Sequence, residues 1–244
     1  MLFSAVALMA SAGSATSQSP SVEQAFKDWP SSQAWPADPM EKHLRNIRQL
    51  TFGGQNAEAY WSVDGKWITF QTRQPQWPDE QIVVMRADGS GKTLMSTGLG
   101  RCTCSYFSPD NKWLYFSSTH EKNKGAQKPV DMGKGYFWRV NPEFSIYRQR
   151  LGPRPNTKAR MPLESVVQKS AYVAENTIDP NGDYMVFTGN WQGDIEIYRS
   201  RLDGSGIHRL TKTKGYDGGP FVSWNGKAIV YRRGPFETDA DEMD

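Results

Sequence analysis

Short apolar stretches in which aromatic and aliphatic residues are mixed recur along the chain, and each follows a polar tight-turn signal. The stretches are Trp67–Phe70, Trp113–Phe116, Tyr184–Phe187 and Ala228–Tyr231. The turn signals before them are Asp64-Gly65, Asp110-Asn111, Asn181-Gly182 and Asn225-Gly226. Glycine and asparagine accept the positive φ that a two-residue hairpin turn needs. The pattern therefore predicts a β-hairpin at each of these places.

A second turn, Asp-Gly-Ser-Gly, occurs twice, each time at the same distance before the next hairpin turn. It begins at Asp88 and at Asp203, and the next hairpin turn, at Asp110 or Asn225, comes 22 residues later in both cases. The first two hairpin turns are 46 residues apart, from Asp64 to Asp110. Two hairpins in one such period make four strands, which is typical of a β-propeller blade. A β-sandwich also has many short strands, but it has no reason to repeat its turns at one interval.

The repeated residues resemble the WD-repeat-like blades of TolB-type propeller proteins. The resemblance covers roughly residues 45–235, and the residues that carry it are Arg48-Gln-Leu-Thr51, Ser108-Pro-Asp110, the Asp-Gly-Ser-Gly turns and His208-Arg-Leu-Thr211. It implies an all-β chain of four-stranded antiparallel blades, exported to the periplasm or beyond, that works through protein contacts. Related blades also occur beside serine-peptidase domains and in some carbohydrate-active propellers.

The chain divides into four predicted parts. Residues 1–18 are expected to be a signal peptide, because Leu2–Met9 is apolar and small residues follow, although a positively charged start is missing. Residues 19–44 form an extended leader, which either packs against the first blade or contacts a partner. Residues 45–236 hold about three and a half blades, an incomplete propeller because closure takes at least four. Residues 237–244 form an acidic tail.

Charge and cysteine content narrow the class of protein further. The net charge of +3 is too small to call for a nucleic-acid partner. No apolar run approaches the roughly 20 residues that a membrane-spanning helix needs. Cys102 and Cys104 are the only cysteines. Two residues apart on a strand, they are expected to share a face, where a disulfide would be strained. Free thiols are the prediction, with a disulfide as the alternative.

The sequence does not complete any of the catalytic or nucleotide-binding motifs that it partly matches. Gly89-Ser-Gly-Lys-Thr93 looks like the end of a phosphate-binding loop, but Arg86 stands where that motif needs glycine. The chain has no Gly-x-Ser-x-Gly sequence, and His43, His120 and His208 are isolated. We therefore expect no catalytic residue, no metal site and no cofactor.

Candidate binding residues lie on the face of the blades opposite the hairpin turns. That face carries the loops from second to third strand and the connections between blades, where binding residues concentrate. Just before the innermost strands come Glu58, Arg101, Glu175, Tyr216 and Asp217. Arg101, Glu175 and Asp217 are expected to ring the mouth of a central channel. The alternative is that such polar residues cap strands and hydrogen-bond one another.

A long insertion in blade two, about residues 120–144, adds three further candidates. Residues 120–160 contain ten Lys or Arg but only three acidic residues, and the insertion holds His120, Tyr136 and Trp138. It is predicted to dock an acidic protein or a glycan, unless its aromatic residues fold back over the blades. The predicted function is an exported, non-catalytic scaffold that binds a protein or another envelope ligand. The alternative is the propeller portion of an enzyme, such as a serine peptidase or a carbohydrate-active propeller.

Overall fold

A computed structural model describes residues 25–129, 133, 139–155 and 162–234, and they fold into consecutive antiparallel sheets. Two short strands come first, β1 (Gln33–Ala34) and β2 (Arg48–Gln49). Blade one contains β3 (Gln55–Trp61), β4 (Trp67–Arg73), β5 (Gln81–Arg86) and β6 (Thr93–Leu94). Blade two contains β7 (Cys102–Phe107), β8 (Trp113–Ser118), β9 (Ser145–Arg150) and β10 (Glu164–Val167).

Blade three and the first half of blade four complete the described chain. Blade three contains β11 (Val173–Ile178), β12 (Met185–Gly189), β13 (Glu196–Ser200) and β14 (His208–Arg209). Blade four contains β15 (Tyr216–Val222) and β16 (Ile229–Gly234). Each complete blade is a simple antiparallel meander of four strands. The predicted fold class, about three and a half propeller blades, is confirmed.

The cores lie between successive blades, because alternate residues of a strand point to opposite sides of its sheet. On β8, Leu114 and Phe116 pack toward blade one, whereas Tyr115 packs toward blade three. On β12, Phe187 faces blade two and Val186 faces blade four. All five side chains are at most 1% exposed. Burying each of them contributes about 2 kcal/mol, so the middle strands are apolar on both faces.

The two Asp-Gly-Ser-Gly turns need glycine because neighbouring backbone packs closely against them. Gly89 and Gly204 have φ values of 82° and 84°. A Cβ at Gly204 would overlap the carbonyl oxygen of Val166 in β10, and a Cβ at Gly89 would overlap that of Ser31 in the leader. The outer strand of blade two thus contacts the turn of blade three. The leader contacts the corresponding turn of blade one in the same way.

The leader packs against the first blade, one of the two roles considered for it. Phe26 and Trp29 pack with Phe70 and Trp77, and β1 pairs with β2. The predicted signal peptide, residues 1–18, and the acidic tail, residues 237–244, lie outside the described residues. So do Tyr136 and Trp138 of the insertion. Within the described ranges, no helix is long and apolar enough to cross a membrane.

The two cysteines do not share a face, contrary to the prediction. Cys104 has a φ of 51°, and the register of β7 with β8 shifts between Thr103 and Tyr106. This bulge breaks the alternation of the strand. Cys102 consequently packs in the core between blades one and two, whereas Cys104 lines a cavity at the centre of the blades. Cys102 and Cys104 are not joined by a disulfide, as expected.

Candidate functional site

Each innermost strand bends at the same place, four residues before the Ser or Asp that opens its hairpin turn. The four residues have positive φ values of 51°, 51°, 58° and 61°, and they are Glu58, Cys104, Glu175 and Gly219. The pairing register of each strand with its neighbour shifts there. Left-handed backbone at a residue other than glycine costs roughly 1–2 kcal/mol. We call this place the bulge position.

The four bulge positions surround a cavity of about 190 Å³ at the centre of the blades. Tyr60, Tyr106 and Phe221 form an aromatic cluster two residues further along their strands, with ring centroids 5.5–6.2 Å apart. The innermost strands run from the face of the inter-blade connections, here called the loop face, toward the hairpin turns. The aromatic cluster therefore closes the cavity on the turn side, and the bulge positions lie nearer the loop face.

Glu175 is the most heavily hydrogen-bonded residue of the cavity wall. Its carboxylate accepts hydrogen bonds from the Thr188 hydroxyl at 2.7 Å and the Gly219 amide at 2.8 Å. Arg232 of β16 donates to the other oxygen at 3.2 Å and to the Tyr216 hydroxyl at 3.0 Å. A Cβ at Gly219 would lie 3.0 Å from the Arg232 guanidinium, which occupies the space a side chain would need. Glu175 thus joins blade three to both strands of blade four.

Glu58, at the same position in blade one, is less constrained. Within the described part of the chain its carboxylate accepts a hydrogen bond from the Tyr60 hydroxyl, at 2.5 Å. Burial of the Tyr60 ring, and then the neighbouring Glu58 carboxylate, hold the pKa of Tyr60 well above its usual range. Tyr60 therefore keeps its proton and remains the donor. Glu58 itself is exposed, so its other acceptor sites face solvent at the cavity.

Cys104 presents a protonated thiol to the cavity. Burial is the main cause that raises the pKa of Cys104, and the negative charges of Glu175 and Glu58 raise it further. The thiolate, which is the nucleophilic form, is therefore scarce at neutral pH. In the ranges that the structure describes, no group of three His, Cys, Asp or Glu residues is placed to hold a metal ion.

Two of the residues predicted to ring the channel mouth are engaged elsewhere. Arg101 donates to Glu80 at 2.6 Å, and Asp217 is 1% exposed and accepts a hydrogen bond from Thr213 at 2.9 Å. Both residues thus make local polar contacts, as in the alternative expected for them. Glu175 does line the channel, although it lies within β11 rather than before it.

His120 lies apart from the channel. Its ring packs against that of Tyr147, with 4.5 Å between centroids and 57° between the ring planes, and its Nδ1 is 2.9 Å from the Ser118 hydroxyl. Burial lowers the pKa of His120. Of the predicted site residues, the structure thus brings together Glu58, Glu175 and Tyr216. Sequence reasoning missed Cys104 and Arg232.

Comparison with known proteins agrees with this architecture. A putative TolB from Agrobacterium tumefaciens superposes with a TM-score of 0.58 at 17% identity, over 75% of this chain and 55% of that one. TolB from Acinetobacter baumannii gives 0.54 at 19% identity, over 76% and 39%. The fold is that of a TolB-type β-propeller. The chain thus spans 55% and 39% of the lengths of these two TolB proteins.

The TolB-type fold is also found in the blades of an enzyme. A Mycobacterium tuberculosis puromycin-hydrolyzing peptidase superposes with a TM-score of 0.51 at 13% identity, over 73% of this chain and 28% of that one. At such identities the likeness concerns the fold alone, so function has to be argued from the site. No protein-family model and no curated protein matches the chain.

Proposed function

We propose that this chain forms part of an exported, non-catalytic propeller that binds a protein partner at its loop face. One basic side chain of the partner enters the channel cavity. The observation that carries the proposal is the convergence of Glu58, Cys104 and Glu175, all in left-handed backbone, on one cavity above the aromatic cluster. Strained residues of this kind cluster at ligand-binding sites.

The size of the cavity supports a side chain as the ligand. Its volume is about 190 Å³. Pockets for small-molecule ligands measure roughly 300–1,000 Å³. One extended side chain is therefore a better match than a whole metabolite, and the rest of the partner would lie across the loop face.

The charge of the cavity supports a basic side chain. Glu58 and Glu175 supply two carboxylates, and Arg232 supplies one guanidinium that already pairs with Glu175. Glu58 thus remains to pair with an incoming ammonium or guanidinium group. Charge-assisted hydrogen bonds of this kind are short and strong, and partial burial in the cavity strengthens them.

A pull-down from an envelope extract with a charge-reversed variant tests the channel. Glu58→Lys should lose the partner that the wild-type chain recovers, because an ammonium group would then occupy the site. Asp183→Lys is the matched control, since Asp183 is an exposed carboxylate at a hairpin turn on the opposite face. Equal recovery by the wild type and both variants would exclude the channel as the binding site.

Export is part of the proposal and has a separate test. The apolar segment Leu2–Met9 and the TolB-type fold support it. Fusion of residues 1–40 to alkaline phosphatase, which folds only after export, should give active phosphatase in intact cells. An inactive fusion would place the protein inside the cell.

The insertion of blade two contributes a second contact in this proposal. Its basic residues and its aromatic residues Tyr136 and Trp138 would then meet an acidic part of the same partner. Replacing both aromatic residues by alanine should reduce recovery without affecting folding. Unchanged recovery would remove the insertion from the binding surface.

A second candidate is the propeller portion of a peptidase. The similarity in fold to the puromycin-hydrolyzing peptidase favours it. The two candidates differ in activity, because only the second would hydrolyse a substrate. Hydrolysis of puromycin by the product of the complete gene would favour the peptidase, whereas additional blades without hydrolysis would favour the binding protein.

A further inference from the structure

A groove of about 720 Å³ lies at the outer rim of blade three, away from the channel cavity. Its wall includes Trp191 and Gln192 from the loop between β12 and β13, and Tyr198 from β13. Lys169 and Lys212 enter it from the connections before and after blade three. We call this feature the rim groove. Its volume falls within the range that holds small ligands.

The indole of Trp191 is held in a fixed position. It stacks on the ring of Tyr198, with centroids 3.8 Å apart and planes 26° from parallel. It also lies directly over Gly189, where any Cβ would overlap the indole. The Tyr198 hydroxyl lies 3.3 Å from Oε1 of Gln192, which fixes the neighbouring amide. Tyr198 thus covers one face of the indole, and the Lys169 ammonium lies over the ring, so a ligand that packs on the indole also meets this ammonium group.

The charge of the rim groove is positive. Lys169 holds its ammonium 5.5 Å from the centroid of the Trp191 ring, and Lys212 and His208 complete the polar wall. Arg209 is already paired with Glu196, whose side chain is fully buried. Among the described residues that line the rim groove, none is Asp or Glu. Two ammonium groups therefore have no carboxylate of the wall beside them.

We propose that the rim groove binds an acidic saccharide. A pyranose ring has an apolar C–H face, which suits a flat indole, and its hydroxyl and carboxylate oxygens accept hydrogen bonds around its edge. The wall supplies donors in that arrangement, from the two lysines and from the Gln192 amide. A peptide anchor would instead need an apolar pocket, and Ile207 is the one aliphatic residue of the wall among the described residues.

Titration with three probes tests this assignment. Trigalacturonic acid should bind saturably in isothermal titration calorimetry and should shift the indole Nε1–H resonance of Trp191. That resonance is assigned by its disappearance in Trp191→Phe. Maltotriose, which has the same number of rings but no carboxylate, should bind at least about tenfold more weakly, because exposed ion pairs add up to about 1 kcal/mol each. Hexa-aspartate tests whether negative charge alone suffices.

Substitution of the two lysines separates the site from general surface charge. Lys169→Ala with Lys212→Ala should weaken trigalacturonate binding about tenfold. Lys66→Ala with Lys227→Ala removes the same charge from hairpin turns on the opposite face and should leave binding unchanged. If the double variant folds poorly, Lys212→Ala alone can be used, because Lys212 is exposed. It should weaken trigalacturonate binding about threefold.

Several results would overturn the assignment. They are the absence of saturable trigalacturonate binding up to about 10 mM, equal affinity for maltotriose, an unmoved Trp191 resonance, or equal loss in the two lysine pairs. Binding of hexa-aspartate as tight as that of trigalacturonate would also overturn it, in favour of an acidic peptide. Glu58→Lys should leave trigalacturonate binding intact, so the rim groove and the channel can fail independently.

Discussion

Replacing Glu175 by alanine should destabilise the chain much more than the same replacement at Glu58. The change removes the acceptor for the Thr188 hydroxyl and the Gly219 amide, at 2.7 and 2.8 Å. Each such bond to a charged group is worth about 1.5 kcal/mol. The ion pair to the exposed Arg232 adds only about 0.5 kcal/mol, because solvent screens it. The expected loss in free energy of unfolding is therefore about 3.5 kcal/mol.

Urea denaturation followed by far-ultraviolet circular dichroism measures this loss, and thermal unfolding should show it as a decrease of about 9 °C in Tm. Glu58→Ala is the matched control. Glu58 has the same residue type and nearly the same φ, but it is exposed and accepts its hydrogen bond from Tyr60 alone among the described residues. Its replacement should cost about 0.5 kcal/mol.

A third variant separates the backbone from the side chain. Glu175→Gly loses the same hydrogen bonds but relieves the left-handed strain at φ 58°. It should therefore be about 1 kcal/mol less destabilising than Glu175→Ala. The reasoning is refuted if Glu175→Ala and Glu58→Ala cost the same within about 0.5 kcal/mol. Equal stability of the alanine and glycine variants at position 175 would show that left-handed backbone at this position does not strain a residue other than glycine.

Three further substitutions have expected outcomes. Tyr115→Phe removes a 3.0 Å hydrogen bond to a blade-three carbonyl and should cost about 1 kcal/mol in urea denaturation, whereas the exposed Tyr231→Phe should cost nothing measurable. Gly204→Ala would place a Cβ at a φ of 84° and against the backbone of blade two, so it should cost at least about 2 kcal/mol. Gly193→Ala is the control for backbone strain alone, because Gly193 has a φ of 109° and open space around it, and it should cost about 1 kcal/mol. Because burial raises the folded-state pKa of Cys104 above its unfolded value, its contribution to stability is present below the unfolded pKa and is lost as pH rises from about 9. Cys104→Ala should therefore make the fall in Tm between about pH 8 and 10 less steep than in the wild type. The burial of Cys104 would be contradicted if its thiol reacted with iodoacetamide as fast in the native chain as in the urea-unfolded chain.

The blades could be predicted from the sequence because their turns depend on local chemistry. Asp64-Gly65 and Asn225-Gly226 adopt hairpins with glycine φ values of 65° and 67°. The strands that follow these turns are buried where a neighbouring blade covers them and exposed where none does. The fixed repeat indicates which strands have such a neighbour. Local polar contacts were one of the two expectations for Arg101 and Asp217. Their partners, Glu80 and Thr213, could not be predicted, because these lie in loops and connections whose conformation is not set by the repeat.

The channel residues were only partly accessible for a different reason. Alternation places every second residue of an innermost strand on one side, but the bulge changes this order at Glu58, Cys104 and Glu175. Gly219, at the same position in blade four, is the one residue of the four whose type suits a positive φ. Alignment of the repeats from the hairpin turns backward would have put all four in register.

The bulge position separates what the blades share from what distinguishes them. Turn and core residues repeat because each blade must form the same hairpins and pack against its neighbours. The bulge position lies outside the hairpin turns and the apolar cores, and it carries Glu, Cys, Glu and Gly in successive blades. The backbone is left-handed at all four equivalent places, whereas the residue type differs, so the wall of the cavity has a repeated geometry and a varied chemistry. If the proposed function holds, the partner side chain meets four residues that are spread over some 160 positions of sequence, from Glu58 to Gly219.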